Sequence, residues 1–251
     1  MKALYRFLAA VAVAGATATS AMAAPVLVHQ YDLNGNLLDS LGGPALVSLG
    51  GSLASTPGRY DFGANQGLQL TGGLSNPAGD WSIDFRASYS SLTGTWKKLI
   101  DFTNLVSDTG LYFANLGGNN ILQFYNIANG TTPVNTGTDY TIAFTRSSTG
   151  IISGFVNGAQ QWSVNDTNGF SATPGNILTF FTDDFATNQS EARPGSVDFI
   201  RIYSGLLSAD DVTTLNNGGT VGTNPTVPEP GSLALLGAGL LAAGALRRRA
   251  R

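Results

Sequence analysis

The chain of 251 residues is 43% hydrophobic, 12% charged and 10% aromatic, with 32 glycines, no cysteine and a formal net charge of −3. That balance suits one globular domain plus processing segments and excludes a chain disordered throughout, while the lack of cysteine excludes a disulfide framework and any thiolate metal site. From Ala24 to Val227 seven Lys/Arg face fifteen Asp/Glu, a net charge of −8. A surface this acidic, without a basic patch, excludes nucleic acid, whose phosphates demand clustered Lys and Arg, and leaves sugars, divalent cations and other proteins as partners.

In chain order, residues 1–23 come first and read as a secretory signal. Lys2 and Arg6 form a positive start, Phe7 to Ala16 an apolar stretch, and Ala21-Met22-Ala23 a small-x-small cleavage site. Cleavage after Ala23 is expected to leave a mature chain that starts at Ala24. Short strands are then expected at 27–31, 46–49 and 68–70. Trp81-Ser82-Ile83-Asp84-Phe85-Arg86-Ala87-Ser88 alternates with a period of two, which sends successive side chains to opposite faces of a strand.

Further strands are expected at 98–102, 110–113 and 121–125. Tyr140, Ile142 and Phe144 alternate with Thr141, Ala143 and Thr145, and Asn157-Gly158 between two apolar runs predicts a tight hairpin with positive φ in its turn. Strands at 177–181 and 199–203 follow. Ser208-Ala209-Asp210-Asp211 then predicts one short helix, with the serine as N-cap and Val212 and Leu215 as its apolar face. About twelve short strands without long helical periodicity predict an all-β fold, a sandwich of two antiparallel sheets over residues 24–215.

A polar linker over 216–226 leads into Val227-Pro228-Glu229-Pro230-Gly231, an apolar run from Ser232 to Leu246, and Arg247-Arg248-Arg249. The run is short against the ~20 residues of a membrane-spanning helix, yet the flanking arginines would hold that end cytoplasmic and the domain outside, a transient membrane tether. Pro228-Glu229-Pro230, the apolar helix and the arginines in this order resemble the PEP-CTERM sorting signal of Gram-negative bacteria over residues 227–251. The resemblance implies processing by an exosortase, a membrane-embedded transpeptidase-like enzyme, in a host that makes exopolysaccharide and biofilm.

The domain itself resembles the laminin-G-like, concanavalin A-like jelly roll. The likeness rests on Tyr31-Asp32-Leu33-Asn34-Gly35-Asn36 with Asp39-Ser40, on Trp81 to Phe85, and on Tyr140 to Arg146 followed by Val156-Asn157-Gly158. It closes with Gly195 to Tyr203 and Leu206 to Val212. Glucan-cleaving enzymes of this fold carry a Glu-x-Asp-x-x-Glu strand, because glycoside hydrolysis needs two carboxylates. This chain departs from that pattern, since its only glutamates are Glu191 and Glu229. The resemblance therefore implies a non-catalytic module.

His29 has no second histidine or cysteine for a zinc site or triad and reads as a satisfied strand residue. Asp183 and Asp184, with Glu191 and Asn188 close by, offer the hard oxygens that calcium takes, and the resemblance to laminin-G-like modules, several of which bind calcium, raises the same idea without locating it; the alternative is a solvated acidic loop whose aspartates hydrogen-bond their own turn. For sugar, a ring must stack on a pyranose beside polar groups. The candidates are Trp96, Tyr112, Asn115 and Tyr125, with Tyr89, Asn104, Asn119 and Asn126 also considered; Trp81 and Trp162 are assigned to the core. The expected function is an exported surface module that binds extracellular polysaccharide or another surface protein. A matrix protein acting by self-association is the alternative, and a glycan hydrolase the weaker one.

Overall fold

The computed structural model describes residues 24–54 and 58–222. The expected signal with Ala23, and the sorting segment with Pro228, Glu229, Pro230 and its apolar run, lie outside the described residues. Fifteen strands and one α-helix are present among those described. They run β1 (Val26–Tyr31), β2 (Val47–Ser48), β3 (Ser52–Leu53), β4 (Tyr60–Phe62), β5 (Leu68–Thr71), β6 (Trp81–Tyr89), β7 (Trp96–Asp101), β8 (Leu111–Leu116), β9 (Asn119–Phe124) and β10 (Ala128–Asn129). There follow β11 (Tyr140–Arg146), β12 (Ile151–Val156), β13 (Ala159–Asn165), β14 (Ile177–Phe180), β15 (Gly195–Ser204) and α1 (Ala209–Asn216).

The strands form two antiparallel sheets. The first has the order β13-β12-β11-β6-β15-β4-β3, with β1 also paired to β15; the second runs β10-β9-β8-β7-β14-β5-β2. Alternation decides which side chains meet between them. Ile83 and Phe85 of β6, Ile142 and Phe144 of β11 and Ile200 and Ile202 of β15 face Leu99, Leu111, Phe113, Leu122, Phe124, Leu178 and Phe180 of the second sheet in one buried core. Phe144 joins the two layers, its ring 5.7 Å from Trp81, 5.1 Å from Phe102 and 5.6 Å from Phe124. Trp81 and Trp162 are buried, as their alternating strands require.

Local signals explain the edges. Asn157 and Gly158 adopt φ of 49° and 83°, the left-handed conformation of a two-residue hairpin turn between β12 and β13. Ser208 caps α1 in a reciprocal capping box with Asp211. That helix lies on the outer face of the first sheet, where Val212, Leu215 and Leu207 pack on Ala143, Phe155 and Tyr203 in a second, smaller core. Strands β3, β4 and β10 escape the periodicity because two or three residues are too few to display it.

The two outer faces of the sandwich are finished differently. Leu27 at the start of β1 donates its N–H to the carbonyl of Gly222 at 3.3 Å, so both ends of the described chain emerge beside the first sheet. Among the described residues, the outer face of the second sheet carries no helix. Two segments cover it instead, 103–109 between β7 and β8, and 181–194 between β14 and β15. The latter leaves where Phe181 donates to Leu99, and returns where the N–H of Lys98 donates to the carbonyl of Glu191 at 2.9 Å.

Candidate functional site

Strand register assembles the site. Leu111 and Phe113 point into the core, so Tyr112 between them points out. Tyr112 pairs with Lys98, and Trp96 pairs with Ala114, which sets Trp96 and Lys98 side by side on the same outer face as Tyr112. A register shift between Lys98 and Ile100 marks a bulge in β7, the local device by which a strand re-aims its side chains. Tyr125 follows β9 and is fixed by donating its N–H to the carbonyl of Gly110 at 3.1 Å.

The rings meet. Trp96 lies 5.3 Å edge-on from Tyr112 and 6.4 Å from Tyr125, and the two tyrosines are 6.4 Å apart. Lys98 passes beneath them with its ammonium 4.3 Å from the Tyr112 ring centroid. Its side chain is fully buried, and its three protons go to Asp184 at 2.9 Å, to the carbonyl of Thr109 at 3.0 Å and to the hydroxyl of Tyr112. Asp183 at 3.5 Å and Asp101 at 4.0 Å complete the charge around it. Tyr112 in turn donates to one oxygen of Asp108 at 3.1 Å and Tyr125 to the other at 3.3 Å.

The acids divide by environment. Burial pushes Asp184 up, but the Lys98 ammonium and the N–H groups of Thr187 and Ala186 outweigh it and hold the carboxyl below the usual range. For Asp183 burial prevails over the N–H of Glu191 and over Lys98, and the carboxyl sits high. Glu191 makes no side-chain hydrogen bond or ion pair among the described residues. Burial first, then the carboxylates of Asp108 and Asp183, push it up to about 7 against the pull of Lys98.

Two candidate sites inferred separately thus become one. Trp96, Tyr125, Asp108 and Glu191 form a half-buried rim, while Tyr112, Lys98, Asp183 and Asp184 form its closed floor. Tyr112, expected to touch a ligand, is fully buried and supports the rim through Lys98 and Asp108. Asn115 is not part of the group. It pairs with Asn120 at the far end of the β8–β9 hairpin, three positions from Tyr112 and so on the opposite face.

Calcium does not fit these residues. A cation site needs several oxygens converging on open space, whereas both Asp184 oxygens and Asp183 Oδ2 are already engaged by Lys98, Thr187 and backbone N–H groups, and Asp183 Oδ1 is fully buried against the Lys98 ammonium at 3.5 Å. Among the described residues no group of three His, Asp or Glu converges to hold a metal. Lys98 occupies the place expected of the ion. His29, on β1, meets Asp39 at 2.6 Å in a local pair that also takes the N–H groups of Gln30, Leu41 and Gly43.

Backbone strain gathers around the same rim. Leu105 and Phe181, bulky residues at φ of 62° and 66°, lie in the two covering segments, as do Asn104, Asn188 and Gln189. Left-handed backbone at bulky side chains is costly and concentrates where geometry serves a site. Sequence reasoning missed Lys98 and Asp108. The signal for Lys98 was a lysine two residues from Trp96 within an apolar strand; Asp108 had none, since only folding brings its loop to the tyrosines.

The raised carboxyls predict how stability follows pH. Besides Glu191, Asp84 under α1 is pushed by burial up to about 6, against Arg201 at 3.1 Å. Both exceed their unfolded values of 3.8 and 4.5, so the native chain binds more protons and its stability falls as pH rises through that window. The melting temperature is expected to drop by several degrees between about pH 5 and pH 8, and Asp84→Asn to remove about 1.4 kcal/mol of that fall. A flat thermal-melt profile over that range would contradict the assignment.

Two antiparallel sheets packed face to face, with the rim on one of them, make a sandwich of the concanavalin A-like kind. Residues 47–213 match the family model for the concanavalin A-like lectin/glucanases superfamily, and the chain belongs to that family. Residues 226–249 match the PEP-CTERM protein-sorting motif, which identifies an exported, cell-surface protein subject to exosortase processing. No curated protein matched the chain.

Solved structures of low identity share the fold. Domain 4 of a GH43 extracellular arabinanase from Geobacillus stearothermophilus, in complex with arabinotriose, is 18% identical with a TM-score of 0.56, over 77% of this chain and 99% of that one. The binding domain of botulinum neurotoxin serotype D is 16% identical with a TM-score of 0.57, over 77% of this chain and 52% of that one. Trypanosoma rangeli sialidase in complex with sialic acid is 12% identical with a TM-score of 0.57, over 76% of this chain and 32% of that one.

Proposed function

We propose that the protein is a non-catalytic carbohydrate-recognition module, held at the cell surface or in the matrix of an exopolysaccharide-producing Gram-negative bacterium. The observation that carries this reading is the rim of Trp96 and Tyr125 with Asp108 and Glu191 beside Tyr125, two half-buried rings next to two carboxylates. Rings offer a pyranose face its apolar contact, and carboxylates accept its hydroxyl protons. That the arabinanase domain was solved with arabinotriose on the same fold is in keeping with the reading.

Hydrolysis is disfavoured because it needs two carboxylates free to act on either side of the bond. Both Asp108 oxygens accept tyrosine protons, Asp184 is paired with Lys98 and Asp183 is fully buried beneath them, which leaves Glu191 alone. One observation favours the opposite view, since a carboxyl raised to about 7 suits a general acid. The full chain in detergent, applied to a glycan array, is expected to bind a polysaccharide class, and Trp96→Ala or Tyr125→Ala to weaken it at least about tenfold, roughly 1.4 kcal/mol. Release of new reducing ends would instead establish a hydrolase, and assembly without glycan binding a self-associating matrix protein.

A further inference from the structure

Charge at the rim narrows the ligand. Five carboxylates, those of Asp101, Asp108, Asp183, Asp184 and Glu191, gather around a single ammonium, that of Lys98, which is fully buried with its protons already committed. The other nearby cations turn away. Arg193 spends its guanidinium on the carbonyls of Thr93, Ser190 and Ala192 at 2.6–2.8 Å, and Lys97 donates to the carbonyl of Gly94 at 2.9 Å and to Asn120.

Two further observations bear on the rim. Asp183 is fully buried, yet its Oδ1 lacks a hydrogen bond among the described residues and faces only the Lys98 ammonium at 3.5 Å, so the floor beneath the rim is short of donors. Where Asp183 Oδ2 accepts the N–H of Glu191 at 2.8 Å, Glu191 is itself half-buried, and its carboxylate has no hydrogen-bond or ion-pair partner among the described residues. The excess is negative, partly desolvated, and set beside the faces of Trp96 and Tyr125, which themselves attract cations.

Resting on the carbohydrate reading, we infer that the ligand is a cationic glycan, a polymer of amino sugars with free, protonated amines, whose ammonium pairs with Glu191 and Asp108 while its ring lies on Trp96. A neutral sugar gains nothing from the charged form of Glu191, whereas an ammonium draws the carboxyl into that form and pairs with it; an acidic sugar would be repelled. An ammonium beside a half-buried carboxylate makes a charge-assisted hydrogen bond, stronger than a hydroxyl can supply.

The test is titration of the full chain in detergent with three hexasaccharides of equal length: β-1,4-glucosamine, its fully N-acetylated form and cellohexaose. The glucosamine hexamer is expected to bind at least tenfold more tightly than either neutral sugar. Glu191→Gln should erase that preference, while Asp61→Asn, an acid on β4 away from the rim, should leave it intact. Equal affinity for all three sugars would overturn the cationic ligand and leave carbohydrate recognition standing. Preference surviving in Glu191→Gln, or no binding of the glucosamine hexamer, would also overturn it; binding elsewhere on the glycan array would then decide the broader reading separately.

Discussion

Replacing Lys98 with methionine is expected to destabilise the fold by about 3–5 kcal/mol at neutral pH, because removing one partner of a buried ion pair leaves the other charge uncompensated. The methionine keeps the stem but takes away the ammonium that Asp184 and Asp183 face at 2.9 and 3.5 Å. For a domain of this size the loss corresponds to a fall of roughly 10 °C in melting temperature. Removing the stranded charges should restore much of it: Asp183→Asn with Asp184→Asn in the Lys98→Met background is expected to recover more than half, and so is lowering the pH to about 4, where the carboxyls protonate. A Lys98→Met melt within about 1 kcal/mol of the parent would mean that the cluster is solvated and Lys98 dispensable.

The second large effect separates two tryptophans. Trp81 is buried to 1% exposure, packed at a tilt against Phe102 and Phe144, with its indole N–H on the carbonyl of Pro77 at 3.2 Å. Trp81→Ala is expected to cost about 3–5 kcal/mol by opening a cavity between the sheets. Trp96→Ala removes a half-buried ring that packs on Tyr112 and Tyr125, and is expected to cost about 1 kcal/mol or less in stability while weakening glycan binding at least about tenfold. Chemical denaturation of the two variants distinguishes them; comparable losses would place Trp96 in the core and take the site away.

That contrast marks where the sequence is legible. Strands such as β6 and β11 announce themselves because alternation reflects one wet and one dry face, and the Asn157-Gly158 turn because few residues tolerate its backbone. The rim is a different case. Trp96, Tyr125 and the Asp183–Glu191 segment were singled out by residue type, but their union depends on β7 pairing with both β8 and β14, a non-local register that no local pattern encodes. Lys98 stayed hidden because a lysine in a strand ordinarily reads as solvated, and its burial follows from the segment that folds over it. Asn115 was misplaced by an odd-numbered offset from Tyr112, which reverses its face.

The return of the chain to Gly222 beside Leu27 bears on how the molecule would carry load. A pull through residues beyond Gly222 acts at the edge of the sheet that holds β1, while a glycan gripping Trp96 pulls on the far layer. Tension between the two would then cross the sandwich broadside, through the apolar seam that Phe144, Trp81 and Phe124 fill, and would not unzip strands one hydrogen bond at a time. Resistance to detachment becomes a property of the seam between the sheets, spread over many small contacts with no single rung to break first.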